Sequence, residues 1–140
     1  MKISTKGRYG LRAMVDLAMH QGDQPVSLKE IAQRQGLSLN YLEHSFSALK
    51  KAGYIVGRAG SSGGYRLRVP ADKLTAKMLL TVLEGDQDIV DPIPQEEETP
   101  LQRCVREQVW DPINREVDRV IATTTLADMV QGCQCTGQEE

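Results

Sequence analysis

Three cysteines, two histidines and a group of cations around a glycine-rich turn are the residues of this chain with chemistry to offer. His20 and His44 lie on separate helical stretches, and neither has a nucleophile and a carboxylate at a spacing that builds a catalytic set. No phosphate-cradling glycine loop and no metal-binding motif occurs, so the chain is read as not an enzyme. His20, near a helix end, is expected to hold one of the last carbonyls. Cys104 stands alone in its segment, while Cys133-Gln134-Cys135 falls in a tail between Gly132 and Gly137. Cys104, Cys133 and Cys135 can be read as a thiol-redox or soft-metal sensing module, or as solvated thiols. The odd count suits reduced thiols better than a disulfide frame.

The cations point elsewhere. "GSSGGYRL", Gly60 to Leu67, puts Ser61, Ser62, Gly63 and Gly64 at the tip of a turn and Tyr65 and Arg66 directly behind it, with Arg58 and Arg68 flanking. A tip with so little side chain lets backbone N–H groups approach a phosphate or enter a narrow groove. The plainer alternative is a β-hairpin turn with solvated arginines. Upstream, Asn40 and Glu43 stand at the start of a helix. There, asparagine suits adenine, and a carboxylate can accept from the cytosine amino group. A carboxylate near phosphates is costly unless a base donor meets it, so Glu43 is read as a discriminator, with a solvated helix residue as the alternative. Ser27 and Lys50 join this DNA-facing set.

The elements that must position these residues follow from period and punctuation. "YGLRAMVDLAMHQ" spaces Leu11, Met14, Val15 and Ala18 as a helix ending near Gly22. In "PVSLKEIAQRQG", Ser27 caps a short helix, Glu30 is its capping-box partner and Gly36 stops it. "LSLNYLEHSFSALKKAGY" carries Leu42, Phe46 and Leu49 on one face and ends at Gly53. Two short helices joined through "GLS" make a helix-turn-helix. A hairpin of "YIVGR" and "YRLRV" follows, with Tyr65, Leu67 and Val69 on one face and Arg66 and Arg68 on the other. "DKLTAKMLLTVLEG" is a further helix with Leu74, Met78, Leu79 and Val82 inward.

The expected fold is therefore mostly α with a small β-hairpin wing, a winged helix-turn-helix domain over 1–85. Residues 86–100 read as an exposed, acidic, Pro-rich loop. Residues 101–130 form a dimerisation helix region with Val105, Val109, Ile113, Val117 and Ile121 four apart, and 131–140 a flexible tail. Asp111-Pro112 either starts or kinks that helix. A second copy of the chain is the expected cover for its apolar row; folding back on its own domain is the alternative.

Composition bounds the rest. At 140 residues and 40% hydrophobic the chain fits one core, and aromatics at 4% make that core aliphatic. No apolar run of ~18 residues exists for a membrane span, and "MKISTKGRYG" lacks the apolar stretch of a signal peptide, so a cytoplasmic location is expected. The net charge of −2 hides an asymmetry. Residues 1–70 hold 11 Lys and Arg against 4 Asp and Glu, whereas 71–140 hold 6 against 15. A basic half suits a polyanion surface such as double-stranded DNA.

"KGRYGLRAMVDLA", "IAQRQGLSLNYLEHSFSALKKAGYI", "GSSGGYRL" and the closing "TTTLADMV", with Cys104 six residues before Trp110, together resemble the Rrf-type (IscR/NsrR/CymR) family of bacterial winged-helix transcription regulators. The resemblance covers nearly the whole chain apart from 86–100 and the residues after Val130. It implies a homodimeric, sequence-specific regulator, a repressor or an activator and here read as a repressor on a palindromic operator. The third helix would lie in the major groove and the wing in the minor groove. The matching positions are Lys6, Arg8 and Tyr9, then Ser38, Asn40, Tyr41 and Glu43, then Gly63, Gly64 and Tyr65. One departure stands out: Ala59 occupies the family's usual wing arginine, with Arg58 one residue earlier. Several members bind an iron–sulfur cluster through three loop cysteines. This chain matches only Cys104, and Glu107 stands at the histidine-like position, so no cofactor is expected. That likens it to the cluster-free CymR branch, which implies control of cysteine or sulfur metabolism with a sulfhydrylase-type corepressor.

Overall fold

The computed structural model describes residues 3–61, 63–85, 88 and 90–137, with side chains through Gln134. Helix α1, Thr5–His20, starts where the Ser4 hydroxyl accepts from the Lys6 N–H, and buries Ala13, Met14 and Leu17. Helix α2, Leu28–Gln35, is capped by Ser27, whose hydroxyl accepts from the Glu30 N–H at 3.1 Å, and stops at Gly36 in the left-handed region (φ 65°). Helix α3, Leu39–Lys51, follows after only Leu37 and Ser38. Its face of Leu42, Phe46 and Leu49 is fully buried, as the four- and three-residue spacing predicts.

Strands β1, Ile55–Arg58, and β2, Gly64–Leu67, pair antiparallel with Ile55 opposite Leu67 and Gly57 opposite Tyr65. The hairpin is not alone. Val26 and Tyr65 exchange both backbone hydrogen bonds (2.9 and 2.7 Å), which adds a one-residue third strand from the α1–α2 connection. Helix α4, Ala76–Glu84, buries Ala76, Leu79, Leu80 and Leu83, while Met78 and Val82, expected inward, are half-buried. Leu74 is fully buried, but as extended backbone ahead of the helix. Gly7 and Gly10 let α4 pack tightly on α1: a Cβ at Gly10 would lie 2.5 Å from Leu83 Cδ1.

Three features of the C-terminal half refine the expectation. First, Asp111-Pro112 opens a helical segment without interrupting the helical path of the chain. Helices α5 (Pro100–Val105) and α6 (Asp111–Thr123) are joined through a π turn, Arg106–Trp110, and the flanking Val105, Trp110 and Asp111 all keep helical dihedrals. Proline removes one i→i−4 bond and crowds that carbonyl, and a wider turn just before it accommodates both. Second, the helical region ends at Thr123. Thr125 and Asp128 cap a new helix, α7, Leu126–Gly137, which runs beyond the tail boundary expected at 131. Third, the chain does fold back: Leu126 is fully buried in the N-terminal core, the Ala76 N–H donates to the Thr124 carbonyl, and the Leu126 N–H donates to the Leu74 carbonyl. The acidic segment, where described, is docked by Glu98, whose side chain is 3% exposed against Arg106 and Arg103.

Candidate nucleic-acid interface

Helix α3 presents its N-terminus to solvent. The Ser38 hydroxyl accepts from the Tyr41 N–H at 3.3 Å, and Asn40 and Glu43 are both exposed within the first turn and a half. Tyr41 is half-buried. Its ring meets the edge of Tyr9 at 5.8 Å, and the guanidinium carbons of Arg8 and Arg12 lie 5.9 and 5.2 Å from the Tyr9 centroid. The pair therefore anchors the start of α1, with exposed Lys6 and Arg8, beside the start of α3. The Tyr41 hydroxyl is buried and has no hydrogen-bond partner among the described residues, so the ring works here by packing. Lys50, at the other end of α3, brings its Nζ to 3.4 Å from where a Cβ on Gly57 of the wing would sit.

The wing's glycines have an internal reason. A Cβ at Gly63 would lie 2.1 Å from the Arg58 carbonyl oxygen, and one at Gly64 would lie 2.4 Å from the Val26 carbonyl oxygen. The small residues are thus required by the turn and by the third strand, whatever they meet outside. Gly60 (φ 105°) has open space around it and carries the turn's positive φ, with the Gly63 N–H donating to its carbonyl. Ser61 is exposed, and Ser62 lies outside the described residues. Tyr65 faces the core, edge-on to Phe46 at 5.3 Å. The register places Arg58 with Val56 and Arg66 on the opposite face. Arg58 is exposed, whereas half-buried Arg66 donates to the Gly22 carbonyl at 2.5 Å.

Two positioning contacts escape a reading by pattern. Asp16, 2% exposed on the apolar face of α1, takes both nitrogens of Arg34 (Nη2 at 2.7 Å, Nε at 3.0 and 3.2 Å) and Nε2 of Gln35 at 2.7 Å. His20 Nδ1 pairs with the Asp16 carbonyl oxygen at 2.8 Å, the role expected of it. Arg12 adds a bond to the Gln35 carbonyl at 3.1 Å. Together these clamp the end of α2, and so the entry to α3, onto α1. The signal in the sequence is an acid between Val15 and Leu17 on a buried face, matched by Arg34-Gln35 before Gly36. The second contact is Glu84, whose Oε1 accepts from Ser4 Oγ (2.5 Å) and the Gly7 N–H (2.7 Å). The Ser4 hydrogen bond, with the Gly7 amide and the Lys6 charge, holds the Glu84 carboxyl below its ordinary range.

Cys104 on α5 and Cys133 on α7 are exposed free thiols, and the Cys135 side chain lies outside the described residues. Among the described residues no three His, Cys, Asp or Glu side chains gather to hold a metal. An iron–sulfur centre needs several thiolates in one place, and the donor set around Cys104 does not fit one. No helix of the described residues is long and apolar enough to cross a membrane.

The Rrf2 profile, described as an iron-dependent transcriptional regulator, matches residues 3–132. Protein rrf2 of Nitratidesulfovibrio vulgaris is 38% identical over 135 residues, which cover 94% of this chain and 88% of the relative. The HTH-type transcriptional regulator CymR of Bacillus subtilis is 43% identical over 129 residues, covering 92% and 89%. A solved structure of B. subtilis CymR, titled the global cysteine regulator, superposes with a TM-score of 0.81 at 42% identity over 94% of this chain and 97% of that one. IscR of T. potens superposes at 0.75 with 38% identity, covering 95% and 88%.

Proposed function

This chain belongs to the Rrf2 family of winged-helix, DNA-binding transcription regulators, and from that premise we propose that it represses transcription as a homodimer on a palindromic operator, with α3 in the major groove and the wing at the adjoining minor groove. The observation that carries the reading is the start of α3: Asn40 and Glu43 stand exposed behind the Ser38 cap, between the Lys6–Arg8 end of α1 and Lys50, whose Nζ lies near Gly57 of the wing. Cations on both sides suit phosphate strands flanking a groove, and the two polar side chains between them suit base edges. Ser27 and Ser38 cap α2 and α3 by accepting from the Glu30 and Tyr41 N–H groups, so their part in binding is to fix the two helix starts. Glu43 rejects sites that offer it no amino group.

The pathway reading is control of cysteine, sulfur or iron–sulfur metabolism, supported by the likeness to a protein titled the global cysteine regulator. A sulfhydrylase-type protein is the corepressor that goes with it. Genomic footprinting tests both levels. The expected result is palindromic footprints upstream of sulfur-assimilation genes, and purified protein that prefers those duplexes over scrambled ones by ~10³-fold or more. Equal affinity for both duplexes overturns the operator reading, and footprints confined to unrelated genes overturn the pathway.

A further inference from the structure

We propose that Arg66 is a positioning residue that locks the wing to the start of α2, and that of the two arginines within the paired strands it is Arg58 that supplies the phosphate contact. The wing is two strands of four residues, and a hairpin that short is marginal by itself. Part of its stability comes from Ile55 and the Tyr65 ring in the core, and part from stitching to the segment 21–27. The Leu67 N–H donates to Gln21 Oε1 at 2.8 Å, Val26 and Tyr65 exchange backbone bonds, and Arg66 Nη2 donates to the Gly22 carbonyl at 2.5 Å. Of these four bonds only the last is made by a wing side chain, and Arg66 lines a hollow of about 140 Å³ together with Asp23, Pro25, Val56 and Arg58. The next residue after Val26 is Ser27, the cap of α2, so holding the wing in place also holds the N-terminus of the helix-turn-helix.

Arg58 and Arg66 share that outer face but not their surroundings. Arg66 is half-buried and engaged. Arg58 is exposed and has no hydrogen bond or ion pair among the described residues. An arginine already committed to a carbonyl loses that bond, or shares it, when it turns to a phosphate; a free one loses only hydration. Arg58 is also the cation nearest the Gly60–Gly63 turn in sequence, two residues before Gly60.

The inference rests on the wing touching DNA, and the test separates the two. Operator affinity is titrated across salt for the parent, Arg58→Ala, Arg66→Ala and Arg66→Lys, and amide exchange of Val26 and Tyr65 is followed in the free proteins. Arg58→Ala is expected to lower the salt slope by about one, the loss of one phosphate contact. Arg66→Ala is expected to weaken binding ~3- to 10-fold with the slope unchanged, and to speed exchange at Val26 and Tyr65. Arg66→Lys restores part of both, because an ammonium can still donate to the Gly22 carbonyl. A slope lowered by about one in Arg66→Ala overturns the inference, and so do unchanged exchange rates. If Arg58→Ala binds like the parent, the wing's contact with DNA is what fails, and exchange in the free protein still decides the role of Arg66.

Discussion

At the start of α3, residue type and exposure make separable statements. Asn40 is exposed and contributes nothing to the core, so its replacement tests recognition alone. Asn40→Ala is expected to cost roughly 1–3 kcal/mol on the operator and little on random duplex, with an unchanged melting temperature. Parallel titrations on the two duplexes measure it, and equal losses on both would move Asn40 from base reading to backbone contact. The wing glycines behave in the opposite way. Their small size is legible in "GSSGGYRL", but the sequence suggests a reason outside the protein, namely approach to DNA. The Arg58 and Val26 carbonyls supply one inside it. Gly64→Ala should therefore destabilise the free protein by about 1–3 kcal/mol through overpacking against Val26. Thermal unfolding without DNA is the discriminating measurement. A Gly64→Ala chain that melts like the parent and fails only with DNA would restore the outside reason.

Among elements, the helices of the N-terminal half were legible through their punctuation and period: Ser27 as a cap, Gly36 and Gly53 as stops, and apolar residues three and four apart; the Ser38 cap came only with the structure. What positions them was less visible, because it runs between elements. The Asp16–Arg34–Gln35 clamp joins residues 18 and 19 apart in sequence, and no local pattern pairs them. Arg34→Ala leaves a 2%-exposed carboxylate with Gln35 at 2.7 Å and the His20 ring at 3.5 Å as its remaining side-chain partners. The expected loss is ~2 kcal/mol, below the full cost of orphaning a buried charge because the guanidinium itself is about a third exposed. Chemical denaturation reads it, and Arg34→Lys should recover only part, since an ammonium cannot span both carboxylate oxygens. The α1–α4 joint adds a pH dependence. Glu84 has its folded pKa depressed below the ordinary 4.5. Its contribution is therefore present above that value and is lost as pH falls through the folded pKa. The parent should lose more melting temperature between pH 6 and pH 3 than Glu84→Gln does. Identical acid limbs in the two proteins would show that this carboxylate does not couple folding to pH.

For the whole molecule, the apolar row expected along the long helix divides in two: its first part is exposed and its last part is half-buried. An α-helix drifts by about 40° for every four-residue step, so a row of five cannot stay on one face of a straight helix. The π turn at Arg106–Trp110 takes back part of that drift for Leu101, Val105, Val109 and Ile113, all exposed, Leu101 at 75%. Beyond it the row turns inward. Val117 and Ile121 are half-buried beside Lys77 and Thr81 of α4, where Lys77 pairs with Asp118. Charge at Val117 or Ile121 would thus damage the protomer as well as any interface. The clean test of the dimer is at Val109, exposed and remote from the N-terminal core. Val109→Glu should give a folded monomer by light scattering with a near-parental melting temperature. It should also lose most operator affinity, because two half-sites about one helical turn apart need two linked copies, while affinity for an isolated half-site stays as in the parent. A Val109→Glu chain that remains dimeric would show that the exposed row is not what joins two copies, and full operator affinity in a proven monomer would show that one copy suffices.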